Sequence, residues 1–158
     1  MAEKKNFEKS ASLNNARGFF LLAKLYLNGE GVKKDDLKAK ELLIKSKKKN
    51  YPSALFVLGD IYFNEKDYAK AKECYEEALK SKNNDAVLKL GILYLYGYGI
   101  KSDYKTAFHY FQSCEKEVNI NALYYLALMY ENGKCVDINI ETAIQYYLKS
   151  ISSQSEHY

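Results

Sequence analysis

Apolar positions along the chain gather into runs about a dozen residues long, each opening on a small side chain: Gly18, Ala54, Ala86 and Ala122, at intervals of 36, 32 and 36 residues. Five residues after each anchor stands a second small residue, Ala23, Gly59, Gly91 or Ala127. It is preceded by Leu22, Leu58, Leu90 or Leu126 and followed three positions later by Tyr26, Tyr62, Tyr94 or Tyr130. Positions i, i+1 and i+4 share one face of a helix, so each period predicts an amphipathic helix A. Further along, Ala39, Ala71, Ala107 and Ala143 recur, with bulky pairs three and four residues on: Leu42/Leu43, Cys74/Tyr75, Tyr110/Phe111 and Tyr146/Tyr147. Another small side chain follows seven residues after each of these alanines, at Ser46, Ala78, Cys114 and Ser150. The pattern predicts a second helix, B, antiparallel to the first, with small residues where the two axes approach closely.

The segments between the helices repeat as well. LYLNGEGVKKDDLKA at residues 25–39 returns as LYLYGYGIKSDYKTA at residues 93–107. Gly29, Gly97 and Gly133 fall just past helix A, where a left-handed cap is expected, and Asp35 and Asp103 fall where helix B needs an acceptor for its free N–H groups. Val32, Ile100 and Val136 are expected to fold back under the loop. The distance from the helix A anchor to the helix B alanine is 21 residues in units one, three and four but 17 in unit two, so four residues are missing from that loop alone. Residues 1–14 fit the same register, Phe7 and Ser10 matching Tyr147 and Ser150, and predict a lone B-type helix. Helix B of the fourth unit is expected to end near Ile151, before the polar stretch SSQSEHY, with an uncovered apolar face.

The recurring L-G-x-x-Y-x-x-G-x-G-V/I-x-x-D-x-x-x-A resembles the Sel-one-like repeat, and unit two, with its shorter loop, resembles a plain tetratricopeptide repeat of the same superfamily. Gly18 stands for the first Ala in unit one, and Cys135 for the second loop Gly in unit four. The resemblance implies an all-α fold, a right-handed α-solenoid of about four helix-turn-helix repeats plus an N-terminal half repeat. Within one domain, 1–158, the expected bounds are a cap at 1–14, repeats at 15–50, 51–82, 83–118 and 119–151, and a tail at 152–158.

Helix A carries more apolar residues than one packing face needs. A second stripe at i, i+4 and i+7 runs through Phe20, Lys24 and Leu27, then Phe56, Asp60 and Phe63, then Leu88, Ile92 and Leu95, and finally Tyr124, Leu128 and Glu131. By resemblance this stripe would line a concave groove, joined by the flanking Arg17, Asn28, Ser53, Asn64, Asp85, Tyr96, Asn121 and Asn132. The function so implied is an adaptor or scaffold that holds a peptide segment of another protein: Phe56, Phe63, Leu88, Ile92 and Tyr124 would receive apolar anchors and Lys24 an acidic group. The alternative is self-association, through the groove or the uncovered fourth unit, as an oligomer or one segment of a longer repeat scaffold; a hydrolase related to the cysteine-rich, penicillin-binding repeat proteins is the remaining class.

Composition removes other classes. At 47% apolar and 28% charged the chain is globular rather than disordered. Its net charge of +4 is too small to imply a polyanion, and 23 of the 24 basic residues are Lys, Arg17 being the exception, which disfavours base-reading contacts with nucleic acid. Cys74, Cys114 and Cys135 show no metal-ligand spacing and cannot all pair, so no metal site, disulfide framework or cofactor is expected. The N-terminus has no apolar signal core, and the longest apolar run, Gly18 to Leu27, is half a membrane span and contains Lys24. A cytoplasmic protein without a membrane span is the expectation. No catalytic residue is assigned. The Gly-x-Gly pairs lack a preceding strand and a third Gly, and His109 and His157 have no triad partners. S-x-x-K occurs at Ser46–Lys49 and Ser102–Lys105, a pattern that suggests the cysteine-rich, penicillin-binding relatives of this repeat, but their paired cysteines are absent. The run KSKKKN at residues 45–50 suits a solvated helix C-terminus.

Overall fold

The computed structural model describes residues 7, 9, 14–81, 83, 85–115 and 119–155. It divides into two compact units, residues 1–83 and 84–158, each built of two helix pairs. In the first unit, α1 (Ala16–Asn28) and α2 (Asp36–Lys47) form one pair, α3 (Pro52–Asn64) and α4 (Tyr68–Lys80) the next. The second unit repeats the plan with α5 (Asp85–Tyr96) and α6 (Tyr104–Glu115), then α7 (Ile120–Asn132) and α8 (Ile140–Ser155). Each helix packs chiefly on its hairpin partner, and within each unit the B helix of the first pair also packs on the A helix of the second. The helix-pair reading of the sequence therefore holds, while α8 runs to Ser155, past the end expected near Ile151. The serines beyond Ile151 continue the helix because nothing in SSQS forbids it; polarity alone does not end a helix. The expected N-terminal cap falls outside the described residues except at positions 7, 9 and 14, where Phe7 packs against the core of the first unit.

Small residues sit where helix axes close in. Ala23, Ala39, Ala54, Ala71 and Ala78 are fully buried in the first unit, as are Ala86, Ala107, Ala122 and Ala127 in the second. Gly59 and Gly91 face the rings of Tyr75 and Phe111, both with no exposed surface. Ser46 and Ser150 are buried polar members of the recurring small positions, and the Ser46 hydroxyl donates to the Ala16 carbonyl at 2.7 Å, tying the end of α2 to the start of α1. That bond gives the serine of one S-x-x-K match a packing role.

The loops close in one way whatever their length. The backbone N–H of the residue that caps helix B donates to the carbonyl of the helix A tyrosine in every pair: Asp35 to Tyr26 (3.0 Å), Asp67 to Tyr62 (2.9 Å), Asp103 to Tyr94 (2.9 Å) and Asn139 to Tyr130 (3.0 Å). Side chains then cap the helix. Asp35 accepts from Lys38 N, Asp67 from Lys70 N, Asp103 from Thr106 N and Asn139 from Thr142 N. Because these closures sit at the helix ends, the four residues absent from the second loop come out between them and neither helix shifts. The three longer loops turn on Gly29, Gly97 and Gly133 at φ 72, 68 and 64°, the left-handed region that glycine enters freely.

Cys135 adopts φ 67°, matching Gly31 at 68° and Gly99 at 67°, so its loop keeps the geometry of the other two long loops at a steric cost that glycine would not carry. Cys135→Gly is expected to raise stability by about 0.5–1 kcal/mol, the relieved strain being partly offset by the freer unfolded chain. The urea midpoint measures it, and a lower midpoint would show that the thiol contributes packing worth more than the strain.

Candidate interaction surface

In the first unit the aromatic stripe residues are engaged within the fold, Phe20 with the start of the next helix pair and Phe56 and Phe63 within their own hairpin. Phe20 packs on Tyr51 with ring centroids 5.1 Å apart, Phe56 on Tyr75 at 6.0 Å and Phe63 edge-on to Tyr68 at 5.3 Å, and all three phenylalanines are half-buried. Asp60 accepts a hydrogen bond from the Tyr75 hydroxyl at 2.6 Å, so its carboxylate braces α3 against α4 as well as facing the stripe. Arg17, Lys24, Asn28 and Asn64 are exposed, and the Asn28 amide donates to Glu30 at 2.7 Å.

The second unit leaves more surface open. Leu88, Ile92 and Leu128 are half-buried and Leu95 is buried, while Tyr96 and Tyr124 stand 52% and 46% exposed. Tyr124 lies against the Tyr125 and Tyr147 rings. Glu131 accepts from the Tyr147 hydroxyl at 2.7 Å; burial and then this bond push the Tyr147 phenol up to about 12. Glu131, like Asp60, is thus part of a hairpin brace. Leu95 and Tyr96 at the end of α5 and Leu128 and Asn132 at the end of α7 line one cleft of about 340 Å³. Ser102, Tyr104, Met129 and Lys134 complete it, none of which stands on the helix A stripe. The signal available for Lys134 was a break in register: Tyr98 and Glu30 hold the matching loop position in units three and one. The Asn132 amide donates to the Leu128 carbonyl at 2.8 Å, which fixes its side chain at the rim.

A second feature is the outer face of α8, where Ile140, Ile144, Leu148 and Ile151 are 54, 52, 61 and 62% exposed. On α6 the matching positions Tyr104 and Phe108 meet the next helix pair, Tyr104 through Lys134 and Phe108 through Tyr130. The remaining chemistry-bearing side chains are dispersed. His109 is exposed on α6, Cys74 and Cys114 are buried, and burial raises the Cys74 and Cys135 thiols above their usual range. Among the described residues no three His, Cys, Asp or Glu side chains gather into a group that could hold a metal ion, and no helix is long and apolar enough to cross a membrane.

Residues 20–51, 84–113 and 120–155 match the Sel1 repeat, and residues 52–85 match the tetratricopeptide repeat. The chain belongs to the Sel1 repeat family. The second pair, with its shortened loop, is the one that matches the tetratricopeptide repeat, as its spacing predicts. Among solved structures the chain is similar to a Sel1 repeat protein from Oxalobacter formigenes, at 29% identity over 94% of this chain and 62% of that one, with a TM-score of 0.83. It is similar also to c5321, a protective antigen present in uropathogenic Escherichia coli strains that displays this fold, at 23% identity over 95% of this chain and 33% of that one, TM-score 0.85. Immunity protein Pa5087 from Pseudomonas aeruginosa shares the fold at 24% identity over 98% of this chain and 58% of that one, TM-score 0.60. This chain therefore spans less than two thirds of the length of each. No curated protein matches. As a Sel1 repeat protein the chain has an all-α helical-repeat solenoid fold, and Sel1 repeats are scaffolds that generally serve protein interaction and are typically non-enzymatic.

Proposed function

We propose that this Sel1 repeat protein is an adaptor that holds a peptide segment of another protein against the helix A faces. The observation that supports it is the cleft of the second unit, where stripe residues of two successive A helices come together beside the exposed rings of Tyr96 and Tyr124. Half-exposed tyrosines next to an apolar floor supply large contact area with little side-chain entropy to lose, the usual make-up of a binding hot spot. In the first unit, Phe56 and Phe63 would receive further apolar anchors, with Arg17, Lys24, Asn28 and Asn64 around them, while Asp60 braces the hairpin through Tyr75. The reading assigns no cofactor, no nucleic acid and no chemistry.

The second reading is self-association through α8, favoured by four exposed aliphatic side chains on one face, of which Ile140 and Ile144 hold the positions that α6 uses to receive a following helix pair. One experiment separates them. A photo-crosslinking residue is placed in turn at Tyr124, Ile144 and the exposed Gln112, and adducts are mapped after irradiation in the native host. The adaptor reading expects adducts to a second protein from position 124 and none from position 112. Adducts joining two copies of this chain from position 144, with none from 124, would replace it by the self-association reading.

A further inference from the structure

The cleft of the second unit has a charge in it that the repeat architecture does not call for. Lys134 follows the Gly133 cap of α7 and is half-buried at the cleft's edge. Its ammonium donates to the Tyr104 hydroxyl at 3.0 Å and lies over that ring, 4.4 Å from the centroid. Among the described residues it has no carboxylate partner within salt-bridge distance. An ammonium has three donors, and the phenol takes one. Three other half-buried lysines are paired: Lys47 with Glu77 at 3.0 Å, Lys72 with Glu76 at 3.4 Å, and Lys40 with Glu65.

The local balance is positive. Lys101 stands exposed on the loop beside the cleft and Lys105 on the first turn of α6, and that loop's carboxylate, Asp103, is committed to capping α6 through Thr106 and Lys105. Asp137 is exposed on the neighbouring loop. Hydrogen bonding from Lys134, then its charge, lowers the Tyr104 phenol, as expected for a hydroxyl acting as acceptor. Leu95, Leu128 and the wholly buried Met129 form the apolar part of the wall, and Tyr96, Ser102 and Asn132 its remaining polar part. This combination belongs to one place. In the first unit the position matching Tyr104 is Asp36 on α2, and the shortened loop after α3 has no residue to match Lys134. A feature that the repeat supplies once, against its own period, is not explained by helix packing.

Resting on the adaptor reading, we propose that this cleft seats an aliphatic side chain of the bound segment followed directly by an Asp or Glu, whose carboxylate pairs with Lys134. Leu128 and the edge of Leu95 take the aliphatic group, with Met129 packed beneath them, and the Tyr96 hydroxyl adds a donor at the rim. The carboxylate supplies the counter-charge that Lys134 lacks, so the acidic residue confers direction on the segment as well as affinity.

The test uses two blocked peptides, acetyl-Gly-Leu-Asp-Gly-amide and the same sequence with Asn for Asp, titrated into the full chain and followed by backbone amide NMR. The Asp peptide is expected to shift the amides of Leu95, Leu128 and Lys134 and to bind about fivefold tighter than the Asn peptide, a gap that closes in high salt. Lys134→Met should erase the gap and Lys134→Arg should keep it, with unchanged helicity in both. Equal affinity for the two peptides, a gap that survives Lys134→Met, or no shift up to about 10 mM peptide overturns the proposal. If crosslinks from position 124 to a second protein persist alongside such a result, the adaptor reading stands and the acidic-residue specificity alone fails.

Discussion

Gly91→Ala is expected to destabilise the second unit by about 1–3 kcal/mol, although alanine is the better helix former by close to 1 kcal/mol and the site lies in mid-helix. A Cβ at Gly91 would stand 2.5 Å from Cε1 of Phe111 and 2.9 Å from its Cδ1 and Cζ. That ring cannot retreat, because it has no exposed surface and stacks on Tyr125 with centroids 4.9 Å apart, 13° from parallel. Overlap must then be relieved by moving α6 away from α5, which loosens the core around Leu90 and Leu93. The repeat itself suggests the compensation. Where the first pair has alanine, Ala23, the ring position holds Leu43, also fully buried. Phe111→Leu alone vacates volume and should cost about 1 kcal/mol or more. Combined with Gly91→Ala it should cost less than the sum of the two, a coupling that a double-mutant cycle in urea reads directly. Strict additivity would show that the two sites do not share a contact.

That pairing explains why so much of the fold could be read from spacing alone. A helix pair demands a small residue wherever its axes approach, and the demand recurs at the same step in every repeat, so Gly18, Ala54, Ala86 and Ala122 betray the period. Loop conformation was legible for a related reason: a left-handed cap leaves its mark as glycine, and a free helix N-terminus as Asp or Asn. Cys135 concealed the mark without changing the geometry, its φ of 67° matching the glycines of the other loops. The end of α8 was misjudged because polar residues are compatible with a helix and with a tail alike.

The candidate surface was less legible. Periodicity tells which residues share a face, but not which of them a neighbouring helix claims. Asp60 and Glu131 lie on the stripe at regular spacing, and both are reached by a tyrosine hydroxyl from the partner helix, Tyr75 and Tyr147. Nothing in the spacing of Asp60 from its own helix reveals that reach, since it depends on the ring opposite Gly59. The cleft residues Tyr104 and Lys134 stand 30 positions apart in different helix pairs and follow no repeat, so only coordinates bring them together.

Tyr75 should separate what a buried ring contributes from what its hydroxyl contributes. The side chain has no exposed surface, lies over Gly59, packs beside Phe56 and donates to Asp60 at 2.6 Å. Tyr75→Ala removes the ring and leaves a void between α3 and α4, at an expected cost of about 3–5 kcal/mol. Tyr75→Phe keeps the ring and removes only the bond to a half-buried carboxylate, which should cost about 1–2 kcal/mol at neutral pH. The two variants should diverge further in alkali. Burial first, then the Asp60 hydrogen bond, raises the Tyr75 phenol well above its ordinary value near 10. The folded chain therefore keeps that proton while the unfolded chain releases it above about pH 10. With more protons bound to the folded state, stability falls as pH climbs, by up to about 1.4 kcal/mol per pH unit from this group. Stabilisation from the raised phenol is complete below the unfolded value and fades toward the folded one. Tyr75→Phe has no such proton to lose, so its urea midpoint should approach that of the unsubstituted chain between about pH 10 and 11. Parallel alkaline slopes for the two proteins would mean that the hydroxyl titrates normally and that Asp60 does not hold it.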